Sequence, residues 1–71
     1  MVFRVVKEKV EIESQVYNTF GIGVTFDNGD EKVFSDISFN FDTISDFVDA
    51  LNTHNPEAMQ IDDLIEDFMM K

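Results

Sequence analysis

Side chains with reactive chemistry are few in this sequence, and almost all of them are carboxylates. The chain has 71 residues with no Cys, one His and fifteen Asp or Glu. Nucleophilic catalysis needs a nucleophile beside a base that a third group orients. His54 stands alone, directly before the Asn-Pro pair that ends a predicted helix. We therefore interpret His54 as structural or solvent-exposed, and we predict that the chain is not an enzyme.

Two groups of acids are candidates for metal or acid–base sites. The turn Asp27-Asn28-Gly29-Asp30 places carboxylates beside a glycine but lacks the alternating Asp spacing and closing Glu of a calcium loop. Asp62, Asp63, Glu66 and Asp67 have the chemistry of general acids and bases. A run of charges on a helix face is more often a solvated surface. We predict no metal and no cofactor.

The charge itself is the strongest compositional signal. The net charge is −10, and it is unevenly distributed. Residues 1–26 contain three Lys or Arg and three Glu, whereas residues 27–71 contain two Lys and twelve acids, so 2 − 12 = −10. Binding to nucleic-acid phosphates requires a basic surface. The sequence thus argues against direct nucleic-acid binding and is compatible with a basic protein partner.

The elements that position these acids begin with a hairpin. Apolar residues alternate with small or polar ones over residues 20–26, which is the period of a half-buried strand. Asn28-Gly29 favours a two-residue type I′ turn, which would pair Phe26 with Glu31. Gly21 and Gly23 leave one face of this strand shallow. That feature predicts a bulge or close packing, with a docking groove as the alternative.

The first strand is expected to share the core face of the hairpin through Val10 and Ile12. That arrangement requires the numbers of paired residues to sum to an even value. We therefore predict a three- or five-residue connection between the first and second strands. The predicted strands cover about 2–13, 16–26 and 31–39.

Two helices are predicted after the sheet, over about 43–53 and 61–70. Ile44, Phe47, Val48 and Leu51 recur at helical spacing in the first helix, and a similar apolar stripe begins at Ile61 in the second. The expected fold is α+β, a single small domain over residues 1–71 with both helices packed on one face of the sheet. Carboxylates occupy the outward helix faces, and the candidate partner-binding residues are Asp42, Asp46, Asp49, Asp62, Asp63, Glu66 and Asp67.

Several short motifs resemble a known family. They are the strand Val16-Tyr-Asn-Thr-Phe-Gly-Ile22, a following hairpin, a helix ending near Pro56, and Asp63-Leu-Ile-Glu-Asp-Phe68 near the end. Together they resemble short uncharacterised proteins of clostridia and related bacteria, marked by an aromatic-Gly-Ile strand and a terminal Asp-apolar-apolar-Glu-Asp-Phe helix. The resemblance implies the fold and an intracellular bacterial setting. It implies no activity and no functional residue.

The function expected from these observations is that of a small acidic interaction protein. Its carboxylate-rich helix faces would bind a basic protein. Two alternatives are a homodimer formed through the surplus of Phe or the sheet edge, and a nucleic-acid mimic that inhibits a DNA- or RNA-binding protein. No apolar run approaches the length of about 20 residues that a membrane span needs, and no signal peptide is recognised. We therefore expect a cytoplasmic location.

Overall fold

Three strands and two helices form the fold in the computed structural model, which describes residues 1–70. The strands are β1 (Val2–Ile12), β2 (Gln15–Thr25) and β3 (Glu31–Ser38), joined as an antiparallel sheet in the order β1-β2-β3. The helices are α1 (Phe41–His54) and α2 (Ile61–Met69), with a short 3₁₀ turn (Ala58–Gln60) before α2. The predicted α+β class and order of elements are confirmed. Neither helix of residues 1–70 has the length and apolar character of a membrane span.

The core lies between one face of the sheet and both helices. The periodicity of each helix predicts its buried side, since Ile44, Val48 and Leu51 of α1 and Ile61 and Ile65 of α2 are buried. The sheet contributes three further buried side chains, Phe3, Ile22 and Val24. These eight residues form one cluster, which packs the buried helix faces against the sheet and leaves the acidic faces outward.

The connection between β1 and β2 differs from the prediction. It is a two-residue turn, Glu13-Ser14, in which both residues have positive φ (51° and 68°) as a type I′ turn requires. The numbers of paired residues therefore sum to an odd value, as in the pairs Phe3–Val24 and Val5–Ile22. This register puts Phe3 and Val5 on the core face of the sheet and puts Val10 and Ile12 on the other face. The prediction failed because β1 has apolar residues at both parities, so the hydrophobic alternation does not determine the register.

The loop between β2 and β3 also differs from the prediction. It has three residues, 27–29, because Phe26 pairs with Asp30: the Phe26 N–H donates to the Asp30 carbonyl at 2.8 Å. Gly29 is left-handed at φ 92°, and the Asn28 side chain accepts a bond from the Asp30 N–H at 3.0 Å. The predicted pairing of Phe26 with Glu31 is therefore wrong, and Glu31 pairs with Thr25.

A bulge interrupts the pairing of β2 with β3, as the paired glycines of β2 predict. Between the pairs Ile22–Phe34 and Phe20–Ser38, only Gly21 of β2 stands opposite three residues of β3. A Cβ atom at Gly21 would lie 2.3 Å from the carbonyl oxygen of Phe34. Glycine is therefore required here by the close approach of the neighbouring backbone.

Polar side chains hold the bulge in place. Asp36, within it, has a left-handed φ of 56°. Its N–H donates to the Glu8 carboxylate at 3.2 Å, and the Ser35 hydroxyl donates to the same group at 3.0 Å. The buried Thr19 hydroxyl donates to Asp36 Oδ1 at 2.7 Å. Glu8 and Asp36 are therefore engaged in holding the sheet together.

The first helix is fixed at both ends. Asn40 caps its start by accepting a bond from the Thr43 N–H at 3.0 Å. The helix ends at Asn55, which is left-handed at φ 48° and donates its N–H to the Leu51 carbonyl. Near that end, the Asn52 amide accepts from the Phe3 N–H at 2.9 Å and donates to the Phe3 carbonyl at 3.0 Å. This amide covers the start of the outer edge of β1.

Candidate functional site

The helical part of the molecule is uniformly acidic. Residues 41–70 contain eight Asp or Glu and no Lys or Arg. All seven carboxylates that the sequence predicts as partner-binding are exposed. The structure divides them into three groups, according to the side of each helix on which they lie.

The first group lies on α1. Asp42, Asp46 and Asp49 follow one another at spacings of four and three residues, so they form a continuous stripe on the helix surface. Ile44 and Val48 are on the buried side of the same helix. Within residues 1–70 no Lys or Arg forms an ion pair with this stripe.

The second and third groups lie on the two flanks of the outward face of α2, about 100° apart around the helix axis. Asp62 and Glu66 are one turn apart, and Asp62 is paired with Lys32 of β3 at 3.3 Å. The Lys32 ammonium also lies 4.7 Å from the centre of the Phe34 ring. Asp63 and Asp67 form the other pair, and Asp67 lines a cleft beside α1. Asp62 is therefore partly neutralised, whereas the side with Asp63 and Asp67 faces an open groove.

This groove lies between the two helices and has an apolar floor. Its volume is about 370 Å³, and it is lined by Phe47, Leu64, Asp67, Phe68 and Met70. The Phe47 and Phe68 rings stack at 4.2 Å with an interplanar angle of 8°. We call it the helix groove. The sequence assigns Phe47 and Phe68 to the core stripes, and both are only half-buried.

A second apolar cleft lies at the far end of the β1–β2 hairpin. Its volume is about 480 Å³, and it is lined by Ile12, Tyr17, Asn18 and Phe39. The rings of Tyr17 and Phe39 meet edge to face at 6.5 Å. Sequence reasoning missed this cleft because it placed Ile12 on the core face. The register given by the Glu13-Ser14 turn is the information that was lacking.

The remaining sequence candidates for reactive chemistry are His54 and the turn at 27–30. His54 is exposed in the last turn of α1, and its ring forms no hydrogen bond within residues 1–70. The same residues contain no group of three or more His, Cys, Asp or Glu positioned to hold a metal ion. In the turn at 27–30, Asp27 instead accepts a hydrogen bond from the terminal ammonium of Met1.

Comparison of the chain with family models, with curated proteins and with solved structures found no match. The resemblance to short clostridial proteins therefore stays a prediction.

Proposed function

We propose that this protein is a small, non-enzymatic interaction module that binds a basic protein through its acidic helix faces. The observation behind the proposal is the charge of residues 41–70, where eight carboxylates occur without a single Lys or Arg. The setting we propose is the cytoplasm, as the sequence suggests.

Like charges one turn apart destabilise a helix by a few tenths of a kcal/mol per pair. Asp62–Glu66 and Asp63–Asp67 are both such pairs, and Asp42–Asp46 is a third. A partner that brings cations to these faces would relieve the repulsion and would also be steered to them over a distance. Complementary charge of this kind supports a Lys- or Arg-rich partner.

The helix groove supports a narrower choice of partner. Its floor is made of aromatic and apolar side chains, and Asp67 lies at its rim with Asp63 one turn away. A basic segment with apolar residues at helical spacing matches this combination, because its apolar side would cover Phe47 and Phe68 while its cations reach the two carboxylates. We propose that the partner presents such a segment.

A titration with a synthetic helical peptide of Leu and Lys tests this binding mode. A peptide with the same Leu pattern and Glu in place of Lys serves as its control. We expect saturable binding of the Lys peptide, weakened at least about tenfold between about 50 mM and about 500 mM salt, because exposed charges are screened over a few ångströms at high salt. Binding of both peptides alike would contradict the proposal.

Two methionines test the groove separately from the charge. Met70→Ser removes an exposed side chain that lines the groove, and Met59→Ser removes a similarly exposed side chain on the 3₁₀ turn. We expect Met70→Ser to weaken the Lys peptide by roughly threefold to tenfold, since burying a Met side chain contributes about 1.5–3 kcal/mol when complete. Met59→Ser should leave the affinity unchanged. Equal losses of affinity in the two variants would mean that the peptide does not bind in the helix groove.

Nucleic-acid mimicry is a special case of this proposal. It requires in addition that the basic partner be a nucleic-acid-binding protein and that DNA or RNA compete with this chain for the same surface. Competition by the partner's nucleic acid would favour mimicry. A ternary complex of all three components would reject it while leaving the general proposal intact.

A further inference from the structure

We propose that two copies of this chain associate through the open edge of β2 beside the β1–β2 turn, with Val16 of each copy facing Val16 of the other. The site is separate from the acidic helix faces and does not depend on their function. Three features of the molecule support this interface: an unpaired strand edge, the apolar side chains beside it, and the distribution of charge.

The first observation is a strand edge without a neighbour. β3 pairs with β2 only as far as Phe20–Ser38, so residues 15–19 of β2 have a strand on the β1 side alone. The Phe26 N–H donates a hydrogen bond to the Asp30 carbonyl, on the β3 side of β2. In an antiparallel sheet, every second residue of a strand directs its backbone N–H and C=O groups to the same neighbouring strand. Val16 and Asn18 therefore direct their N–H and C=O groups to the open side. An edge of this kind is a template for another strand.

The second observation is that apolar side chains lie on both sides of this edge. Phe39 packs edge to face against Tyr17, and Phe41 packs in the same way against Phe20 at 5.4 Å. Tyr17 and Phe20 have opposite parity in β2, so the two aromatic pairs lie on opposite faces of the sheet. Phe39, Phe41 and Val16 are 61%, 52% and 65% exposed. A strand added here would be covered by apolar side chains above and below.

The third observation is charge, and it selects a second copy as the occupant. Residues 14–26 contain no charged side chain, in a chain whose net charge is −10. A basic partner would gain nothing at this neutral surface, whereas two strongly acidic copies can approach each other only where carboxylates are absent. The neutral edge is therefore suited to self-association.

The space along β2 determines the register. β3 already occupies the neighbouring position at Phe20, so an incoming strand has room only near the turn. A two-fold axis at Val16 satisfies this condition, since it places Gln15 opposite Tyr17 and Ser14 opposite Asn18 of the second copy. No charged residue then faces another charged residue across the pair. Any register centred nearer Phe20 would bring the second hairpin against β3.

The available area indicates a weak, reversible dimer. The exposed parts of Ile12, Val16, Tyr17 and Phe39 amount to roughly 300–450 Å² per copy, if a whole aromatic side chain presents about 150–250 Å². The backbone edge adds to this area. Weak specific interfaces bury less than about 1,200 Å² in total, or about 600 Å² per partner. We therefore expect the dimer at high micromolar concentration.

The absence of Cys allows a direct test by cross-linking. In the proposed register, the two Val16 Cα atoms would be about 5.5 Å apart, as in a hydrogen-bonded antiparallel pair, and disulfides span about 4.4–6.8 Å. We expect Val16→Cys to form a disulfide-linked dimer under mild oxidation. Val2→Cys is the matched control, because Val2 is similarly exposed at 60% on the same sheet. Equal cross-linking of both variants, or of neither, would overturn the proposed interface.

Sedimentation of the unmodified chain provides an independent measurement. The mass should rise from 8.2 kDa toward twice that value as the concentration approaches about 200 µM. Val16→Asp would place two carboxylates face to face and should keep the protein monomeric, whereas Val2→Asp should still dimerise. Higher salt should preserve or strengthen the dimer, because it screens the repulsion between acidic copies. A wild-type monomer at about 200 µM, or a dimer that dissociates in salt, would reject the proposal.

Discussion

At the scale of single residues, two positions have roles that side-chain type alone does not reveal. Gly21 is needed because the Phe34 carbonyl crosses above it, and Asn52 is needed because its amide satisfies the backbone of Phe3. The sequence indicates the role of Gly21, since a glycine inside a strand is typical of a bulge. It gives no such indication for Asn52, because a polar residue near the end of a helix has many ordinary explanations.

Gly21→Ala should be the most destabilising glycine substitution. The new Cβ would meet backbone that cannot move alone, so we expect the free energy of unfolding to fall by about 2–4 kcal/mol. Gly29→Ala meets no atom within 4 Å and only adopts an unfavourable φ, which costs about 1 kcal/mol. Urea denaturation of the two variants checks the difference. Equal losses would mean that the bulge relaxes around the added methyl group.

Asn52→Ala should loosen the start of β1. Two hydrogen bonds to Phe3 are lost together, and we expect a decrease of about 1–3 kcal/mol in the free energy of unfolding. Hydrogen exchange should show faster exchange of the Phe3 amide. Thr53→Ala is the control, because its hydroxyl bonds only to the Asp49 carbonyl of its own helix. Unchanged exchange at Phe3 in Asn52→Ala would contradict the proposed role.

At the scale of elements, helices were easier to predict than the strand register. The apolar stripes of α1 and α2 recur at one spacing, so the buried sides and approximate bounds follow from the sequence. The start of α1 is the exception, since the helix begins at Phe41, two residues before the predicted start at about 43. The register of β1 depends instead on two turn residues, Glu13 and Ser14, which do not usually adopt a left-handed conformation. The same turn positions the apolar cleft at the hairpin end, so this candidate surface could not be predicted without the register.

The Glu13-Ser14 turn offers a test of this explanation. Replacing it with Asn-Gly supplies the two residues that prefer positive φ in a type I′ turn. We expect the double substitution to raise the free energy of unfolding by about 1 kcal/mol, since the strain of two non-glycine residues is removed. Thermal unfolding measures the gain. A loss of stability would indicate that the turn differs from the one described.

At the scale of the whole molecule, charge is segregated between the sheet and the helices. Residues 1–40 contain seven acids and four Lys or Arg, giving 4 − 7 = −3, while residues 41–70 contain eight acids and no Lys or Arg, giving −8. The sequence reveals this imbalance, and the periodicity of the helices predicts that the acids face outward. Only the structure shows that they divide into three groups, and that Asp67 of one group lines the helix groove.

Stability should respond to salt because the molecule repels itself. We expect the midpoint of thermal unfolding to rise by roughly 4–8 °C between about 20 mM and about 500 mM salt, which corresponds to about 1 kcal/mol for a domain of this size. A variant with four fewer acids on α2 has a net charge of −10 + 4 = −6, and its midpoint should rise less. An equal rise in both proteins would mean that repulsion on the helical side is not the cause.

The central claim is that the acidic helix faces bind a basic partner, and the most direct measurement is affinity capture from the source cell with two matched variants. Each removes four carboxylates without changing side-chain size. The helix variant changes the four acids of α2: Asp62→Asn, Asp63→Asn, Glu66→Gln and Asp67→Asn. The sheet variant changes four exposed acids of the sheet and its turns: Glu11→Gln, Glu13→Gln, Asp27→Asn and Asp30→Asn. We predict that wild type and the sheet variant capture the same basic protein at low salt and release it at high salt, and that the helix variant fails to capture it. Capture by the helix variant, or equal loss from both variants, would contradict the claim.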